Sequence, residues 1–346
     1  VQKFLVIQTA FIGDVVLATA LIEKLHDYFP DARIDFLVRK GNEALLTGHP
    51  YLHEVLVWDK KQHKLRNLMR LARRIRHTKY DKLINVQRFA ATGLLTVWSG
   101  AAETIGFDKN PLSFLFTRKI PHIVSDAAHP LHEIDRNQSL IGAFTDDLPA
   151  KPRLYPTKAD FEMVRAYKTN SYITVSPASV WFTKQFPPEK WAAFIRLLPD
   201  RYTVCLLGAP SDHALCEQVR EMAGPGHTII NLSGQLSFLQ SAALMKEAVM
   251  NYVNDSAPMH FASAVNAPVT AVYCSTIPAF GFGPLSDERF IVEVEEPLDC
   301  RPCGLHGYRA CPLGHFNCAY KIEDKQLLES LINLRPAGAA PHPAAE

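Results

Sequence analysis

Short apolar runs alternate with helical stretches from residue 3 to residue 273, and the alternation restarts after Pro149, Pro152 and Pro156. Strand-like runs fall at 3–7, 34–38, 54–58, 82–86 and 104–107 in the first half, and at 172–175, 202–207, 228–231, 249–253 and 269–273 in the second. Helical stretches lie between most of them, including 14–29, 188–198, 212–223, 238–247 and 258–264. Strands that regularly alternate with helices must return in the same direction, so each half is expected to form a mostly parallel sheet with helices on both faces. The proline-punctuated stretch reads as a linker, dividing the chain into residues 1–150 and 151–334. Residues 335–346, rich in Pro and Ala, read as a disordered tail. The expected class is α/β, two Rossmann-like doubly wound domains facing a cleft, with ligands beyond the carboxyl ends of the strands.

At 346 residues, 47% hydrophobic and 21% charged, the chain is long enough for two domains of ordinary size. The net charge of +2 is uninformative, but its distribution is not. Residues 60–82 hold ten Lys or Arg against one acid, Asp81. Leu65, Leu68, Met69, Ala72 and Ile75 recur there at helical spacing. A basic amphipathic helix is expected, suited to an anionic membrane surface or a phosphorylated acceptor, or else a solvated helix with one packed face. No window is apolar and long enough to span a bilayer. Asp14, Glu23, Lys24 and His26 interrupt what might be taken for a signal peptide, so a cytoplasmic protein is expected. Seven cysteines, an odd number, make a poor disulfide framework and fit that compartment as thiols or ligands.

Three strand-to-helix junctions carry candidate chemistry. In Phe11-Ile-Gly-Asp14, a carboxylate opens the first helix, where the helix dipole favours its ionised form; it can serve as a general base or simply as a cap. The motif lacks the spaced glycines of a dinucleotide fingerprint, which argues against NAD chemistry, and no cofactor is expected. The loop from Ser176 to Trp191 offers Ser179, Thr183 and Lys184 at a sheet edge, suitable for a diphosphate and without Walker spacing. Asn254-Asp255-Ser256, followed by Pro258 and His260, ends an apolar strand and starts a helix. Backbone N–H groups there can take an anion while Asp255 accepts from a sugar hydroxyl, or the segment is a capped helix only. Arg88 and Arg136 are weaker candidates for contacting a phosphorylated acceptor. Finally, Cys300, Cys303, Cys311 and Cys318 lie close together with His306 and His315. Zinc is one reading; the C-x6-C spacing of the second pair favours reduced structural thiols or a labile disulfide, and no metal is assigned.

Gly13-Asp14, the Lys184 loop with Phe186-Pro187 and Trp191, Gly208-Ala209-Pro210, Asn254-Asp255-Ser256 with Pro258-Met259-His260, and the terminal cysteines with Cys311-Pro-Leu-Gly-His315 stand in the order seen in the heptosyltransferases of lipopolysaccharide core assembly. The chain resembles that family, glycosyltransferase family 9, over residues 3 to about 322. The resemblance implies a GT-B fold with an N-terminal acceptor-binding domain and a C-terminal nucleotide-sugar donor domain. It implies inverting, metal-independent transfer of heptose from ADP-heptose to a lipopolysaccharide or lipid A-core acceptor. Asp14 then matches the catalytic base, Ser179 and Lys184 the phosphate-contacting loop, and Asp255, Ser256 and His260 the donor-site motif. No nucleic-acid partner is implied, and peripheral contact with the inner face of the inner membrane is compatible through the basic helix. The family commonly has Gly where Ala257 stands and a hydroxyl residue where Val180 stands, departures that bear on the donor sugar. A GT-B enzyme with another nucleotide-sugar, a two-domain sugar epimerase and a noncatalytic glycan-binding scaffold are the alternatives.

Overall fold

The structure is a computed structural model that describes residues 1–168 and 170–334; the tail expected at 335–346 lies outside the described residues. The chain forms two compact units, Val1–Tyr155 and Pro156 onward, dividing within the proline-punctuated stretch.

The first unit contains β1 (Lys3–Ile7), α1 (Ile12–Tyr28), β2 (Arg33–Arg39), β3 (Leu52–Trp58), α2 (Lys64–Thr78), β4 (Lys82–Asn85), α3 (Ala90–Trp98), β5 (Glu103–Phe107), β6 (Arg118–Ile120) and α4 (Glu133–Gln138). Its sheet has the order β3-β2-β1-β4-β5-β6, and every pairing is parallel. Central β1 is apolar after Lys3 because helices cover both faces, and Phe4, Leu5, Val6 and Ile7 are fully buried.

The second unit contains α5 (Lys158–Met163), β7 (Tyr172–Ser176), α6 (Pro188–Leu197), β8 (Thr203–Leu206), α7 (His213–Ala223), β9 (Ile229–Asn231), α8 (Phe238–Glu247), β10 (Asn251–Asn254), α9 (Ala257–Ala264), β11 (Val269–Tyr273), β12 (Arg289–Glu293), α10 (Asn317–Tyr320) and α11 (Asp324–Ile332). Its order, β12-β11-β10-β7-β8-β9, is also wholly parallel and repeats that of the first sheet. Each unit has its own core, one around Leu5, Leu37, Ile75 and Leu83, the other around Ile173, Trp191, Phe194 and Tyr252.

In both sheets the first strand lies beside the fourth, and the chain winds outward from that pair in both directions. That pair is the topological switch point, where the loops leaving the two central strands diverge and open a crevice. In the first unit it lies between β1 and β4, in the second between β7 and β10. Sequence reasoning missed β6 and β12, two of the four edge strands, but found the other two, β3 and β9.

The basic helix α2 also differs from its expected packing. Leu68, Leu71, Ala72 and Ile75 form the buried stripe, while Leu65 and Met69 are exposed, at 72% and 51%.

Candidate functional site

In the first unit, Asp14 stands in the first turn of α1, immediately beyond β1. Its carboxylate accepts from the Phe11 backbone N–H at 3.1 Å, so capping is part of what it does. Arg88 follows β4, the other strand of the switch point. Buried Asn110 holds its loop, donating to the carbonyls of Gln87 at 3.0 Å and Phe89 at 3.1 Å and leaving Arg88 exposed. Arg136 comes from α4. It is buried, donates to the Ile123 carbonyl at 3.0 Å and pairs with Glu133 one helical turn earlier.

These three residues are far apart in sequence, yet their charges act on one another. Burial lowers the Arg136 pKa to about 10, Arg88 adds to the lowering, and Asp14 opposes it. His122 belongs to the same group. Its pKa falls to about 4, first through burial and then through Arg136 and Arg88. Asp14 thus acts on Arg136, while burial and the two guanidiniums keep the His122 imidazole neutral near pH 7. Sequence reasoning missed His122, which belongs to no motif.

Lys60, just beyond β3, was missed as well. Its ammonium donates to the carbonyl of Thr9 at 2.8 Å and to the Thr9 hydroxyl at 3.0 Å, tying the segment that leads into α1. Burial, Arg39 and Lys64 lower its pKa.

In the second unit, the loop after β7 meets the loop after β10. Buried Asn254, the last residue of β10, links them: its side-chain oxygen accepts from Phe186 N–H at 3.0 Å, and its amide donates to the Pro177 carbonyl at 2.8 Å. The two ends of the Lys184 loop are thereby pinned to the neighbouring strand. Lys184 reaches Asp255 at 2.6 Å, with the two side chains only 15% and 8% exposed. Thr276, beyond β11, donates to the same Asp255 oxygen at 2.6 Å. The sequence reading had divided this pair, giving Lys184 to the phosphates and Asp255 to the sugar; the structure joins them.

Thr183 is fully enclosed. Its hydroxyl accepts from Tyr308 N–H at 2.7 Å and from the Ser275 hydroxyl at 3.0 Å, so it fastens the chain from 300 to 308 beneath Lys184. Arg301 adds to that fastening, donating to the carbonyls of Cys274 and Thr276, each at 2.8 Å. Gly307 is required by close approach and by its φ of +75°: a Cβ there would stand 2.8 Å from the Thr183 hydroxyl and 3.0 Å from Lys184 Cγ. Ser179 and Ser256 are partly exposed, His260 is buried on α9, and Pro258 occupies the first turn of that helix. Val180, where a hydroxyl residue is frequent in the family, is 80% exposed.

All seven cysteines are free thiols, and Cys205, Cys216 and Cys274 are fully buried. Burial raises Cys318 to about 12, with Cys303, Cys300 and Cys311 adding to the shift, so these four lie in one neighbourhood. They do not gather as a ligand set. Among the described residues, only Asp35, His53 and Glu54 bring three ligating atoms within 4.8 Å of one another. There Asp35 already accepts from Tyr80 and Arg33 and contacts His53 at 3.1 Å.

Two wholly parallel sheets of identical strand order, each with charged and polar residues grouped at its switch point, define the fold as GT-B. The comparisons agree: the fold matches heptosyltransferase II of Escherichia coli with a TM-score of 0.77 at 21% identity, covering 96% of this chain and 98% of that one. It matches a family 9 glycosyltransferase of Veillonella parvula with a TM-score of 0.80 at 20% identity, with the same coverages. In sequence it is 28% identical to lipopolysaccharide heptosyltransferase 3 of Escherichia coli, over 77% of this chain and 82% of the relative. The profile of glycosyltransferase family 9 (heptosyltransferase) matches residues 68–306, and the chain belongs to that family.

Proposed function

We propose that this enzyme transfers heptose from ADP-heptose to the inner core of lipopolysaccharide, with inversion and without a metal ion. The observation that carries the reading is the pairing of Lys184 with Asp255 at the second switch point, beside Ser179 and the N-terminus of α9. A cation beside the positive end of a helix dipole suits a diphosphate. The domain roles follow: the second unit holds the donor, and the first supplies the base and receives the acceptor, with Arg88 and Arg136 favouring a phosphorylated saccharide.

In this reaction the acceptor hydroxyl oxygen attacks the anomeric carbon as the bond from that carbon to the β-phosphate oxygen breaks. The hydroxyl proton passes to the Asp14 carboxylate, and the electron pair of the broken bond leaves with ADP. Lys184 opposes the charge that develops on the leaving diphosphate, which is where a fixed cation lowers the barrier most. Asp255 orients Lys184 and, with Ser256 and His260, borders the sugar. A nucleotide-sugar donor and a core acceptor before export place the reaction on the cytoplasmic side of the inner membrane.

The test supplies ADP-heptose and a heptose-deficient core acceptor and follows ADP release and product mass. Transfer is expected from the wild-type protein and in the presence of chelator. Asp14→Asn is expected to bind donor normally while turnover falls at least about a hundredfold, the usual scale for losing a general base. Full turnover in that variant would remove Asp14 from the role, loss of turnover in chelator would overturn the metal-free mechanism, and transfer only from a different nucleotide-sugar would replace the donor.

A further inference from the structure

We infer that the outer face of α2 is a docking surface for an anionic phospholipid bilayer, a role beyond the transfer reaction itself. The helix is split cleanly by the fold. Leu68, Leu71, Ala72 and Ile75 pack inward, next to Leu56, Trp58 and Leu83 in one core. On the opposite face, Arg66, Arg70, Arg73 and His77 recur at spacings of three and four, and all are exposed. The helix contains no acidic residue, and among the described residues only Arg74 of its cations has a carboxylate partner, Glu54.

A purely solvated helix would explain the cations but not Leu65 and Met69. These two lie one turn apart, flank the arginine row, and expose 72% and 51% of their surface. Arginines beside adjacent exposed apolar side chains match both parts of a lipid interface, the anionic headgroups and the upper acyl region. Trp98, half exposed at the end of α3, accepts at its carbonyl from Arg76 and brings to this end of α2 a residue type that favours such interfaces. A phosphorylated saccharide would engage the arginines but would gain nothing from Leu65 and Met69. Among the described residues no helix is long and apolar enough to cross a membrane, so binding at this face would be peripheral.

The full chain is sedimented with vesicles of phosphatidylcholine alone and of phosphatidylcholine mixed with phosphatidylglycerol, at low and raised salt. Binding is expected to the mixed vesicles only, and to weaken with salt. Arg66→Glu with Arg70→Glu and Arg73→Glu should reduce that binding more than about tenfold. Leu65→Ser with Met69→Ser should reduce it several-fold at both salt concentrations, since the lost contact is apolar. All the substituted side chains are exposed, so circular dichroism should be unchanged, as should turnover on a lipid-free saccharide acceptor. Equal sedimentation with both vesicle types would overturn the proposal, as would full binding by the triple variant. Loss of turnover on the lipid-free acceptor with vesicle binding intact would reassign the face to the saccharide. Because the vesicle measurement needs no donor, it stands or falls separately from the transfer assay.

Discussion

Asp14, Lys184 and Asp255 are legible in the sequence because each follows an apolar strand and precedes a helix, where an α/β sheet presents ligand-facing groups. Their partners are not. Thr183, Ser275, Thr276, Arg301 and Gly307 meet through contacts spanning up to 125 residues, and their types are ordinary for loops. The contact of Lys184 with Asp255 sets two largely buried charges against each other. Lys184→Met should weaken ADP binding about tenfold to a hundredfold, the range for a lost charged hydrogen bond, as measured by calorimetry. The same change leaves Asp255 with Thr276 but no cation, so stability in denaturant should also fall by about 3 kcal/mol, a figure for breaking a buried pair. Adding Asp255→Asn should restore much of that stability without restoring ADP binding. Gly307→Ala tests the support from beneath. Its Cβ would press on Thr183 and Lys184, so the KM for donor should rise while the KM for acceptor stays unchanged.

At the scale of the element, the central strands were readable because burial on both faces produces continuous apolar runs. The edge strands β6 and β12 were not, since Arg118-Lys-Ile is only three residues long and Arg289-Phe-Ile-Val-Glu carries a charge at each end and buries only Val292, so neither gives a continuous apolar run. Periodicity found α2 but could not divide its apolar residues: Leu65 and Met69 fit a helical stripe as well as Leu68 and Ile75 do, and only packing against the sheet separates them. Helix starts were more faithful to local chemistry. Ser237 opens α8 with a reciprocal cap, its hydroxyl accepting from Gln240 N–H at 3.2 Å while the Gln240 side chain accepts from Ser237 N–H at 2.9 Å. Ser237→Ala should cost about 1 kcal/mol in denaturant unfolding and leave turnover unchanged.

For the whole molecule, the repeated alternation of strand and helix was enough to read two doubly wound units, and the repeated strand order then explains why each unit groups its polar residues where it does. The grouping of Asp14, Arg88, Arg136 and His122 was beyond sequence, because it depends on β1 lying beside β4 and on α4 returning to the same region. That grouping has a consequence for stability. His122 titrates at about 4 in the folded protein against about 6.5 in an unfolded chain. Between those values the unfolded chain binds more protons, so stability rises with pH, and acidification from pH 6.5 towards 4 favours unfolding. This window lies above that of Asp146, whose pKa is lowered to about 2 by Lys24 and Tyr28 and whose contribution is lost only as the pH falls from about 3.8 through 2. Thermal unfolding measured from pH 7 to pH 4.5 should therefore show a decline in wild-type protein that is shallower in His122→Gln, a side chain that cannot take up the proton. Parallel declines in the two proteins would mean that His122 is not the group responsible, and that burial and the two arginines do not hold its imidazole neutral.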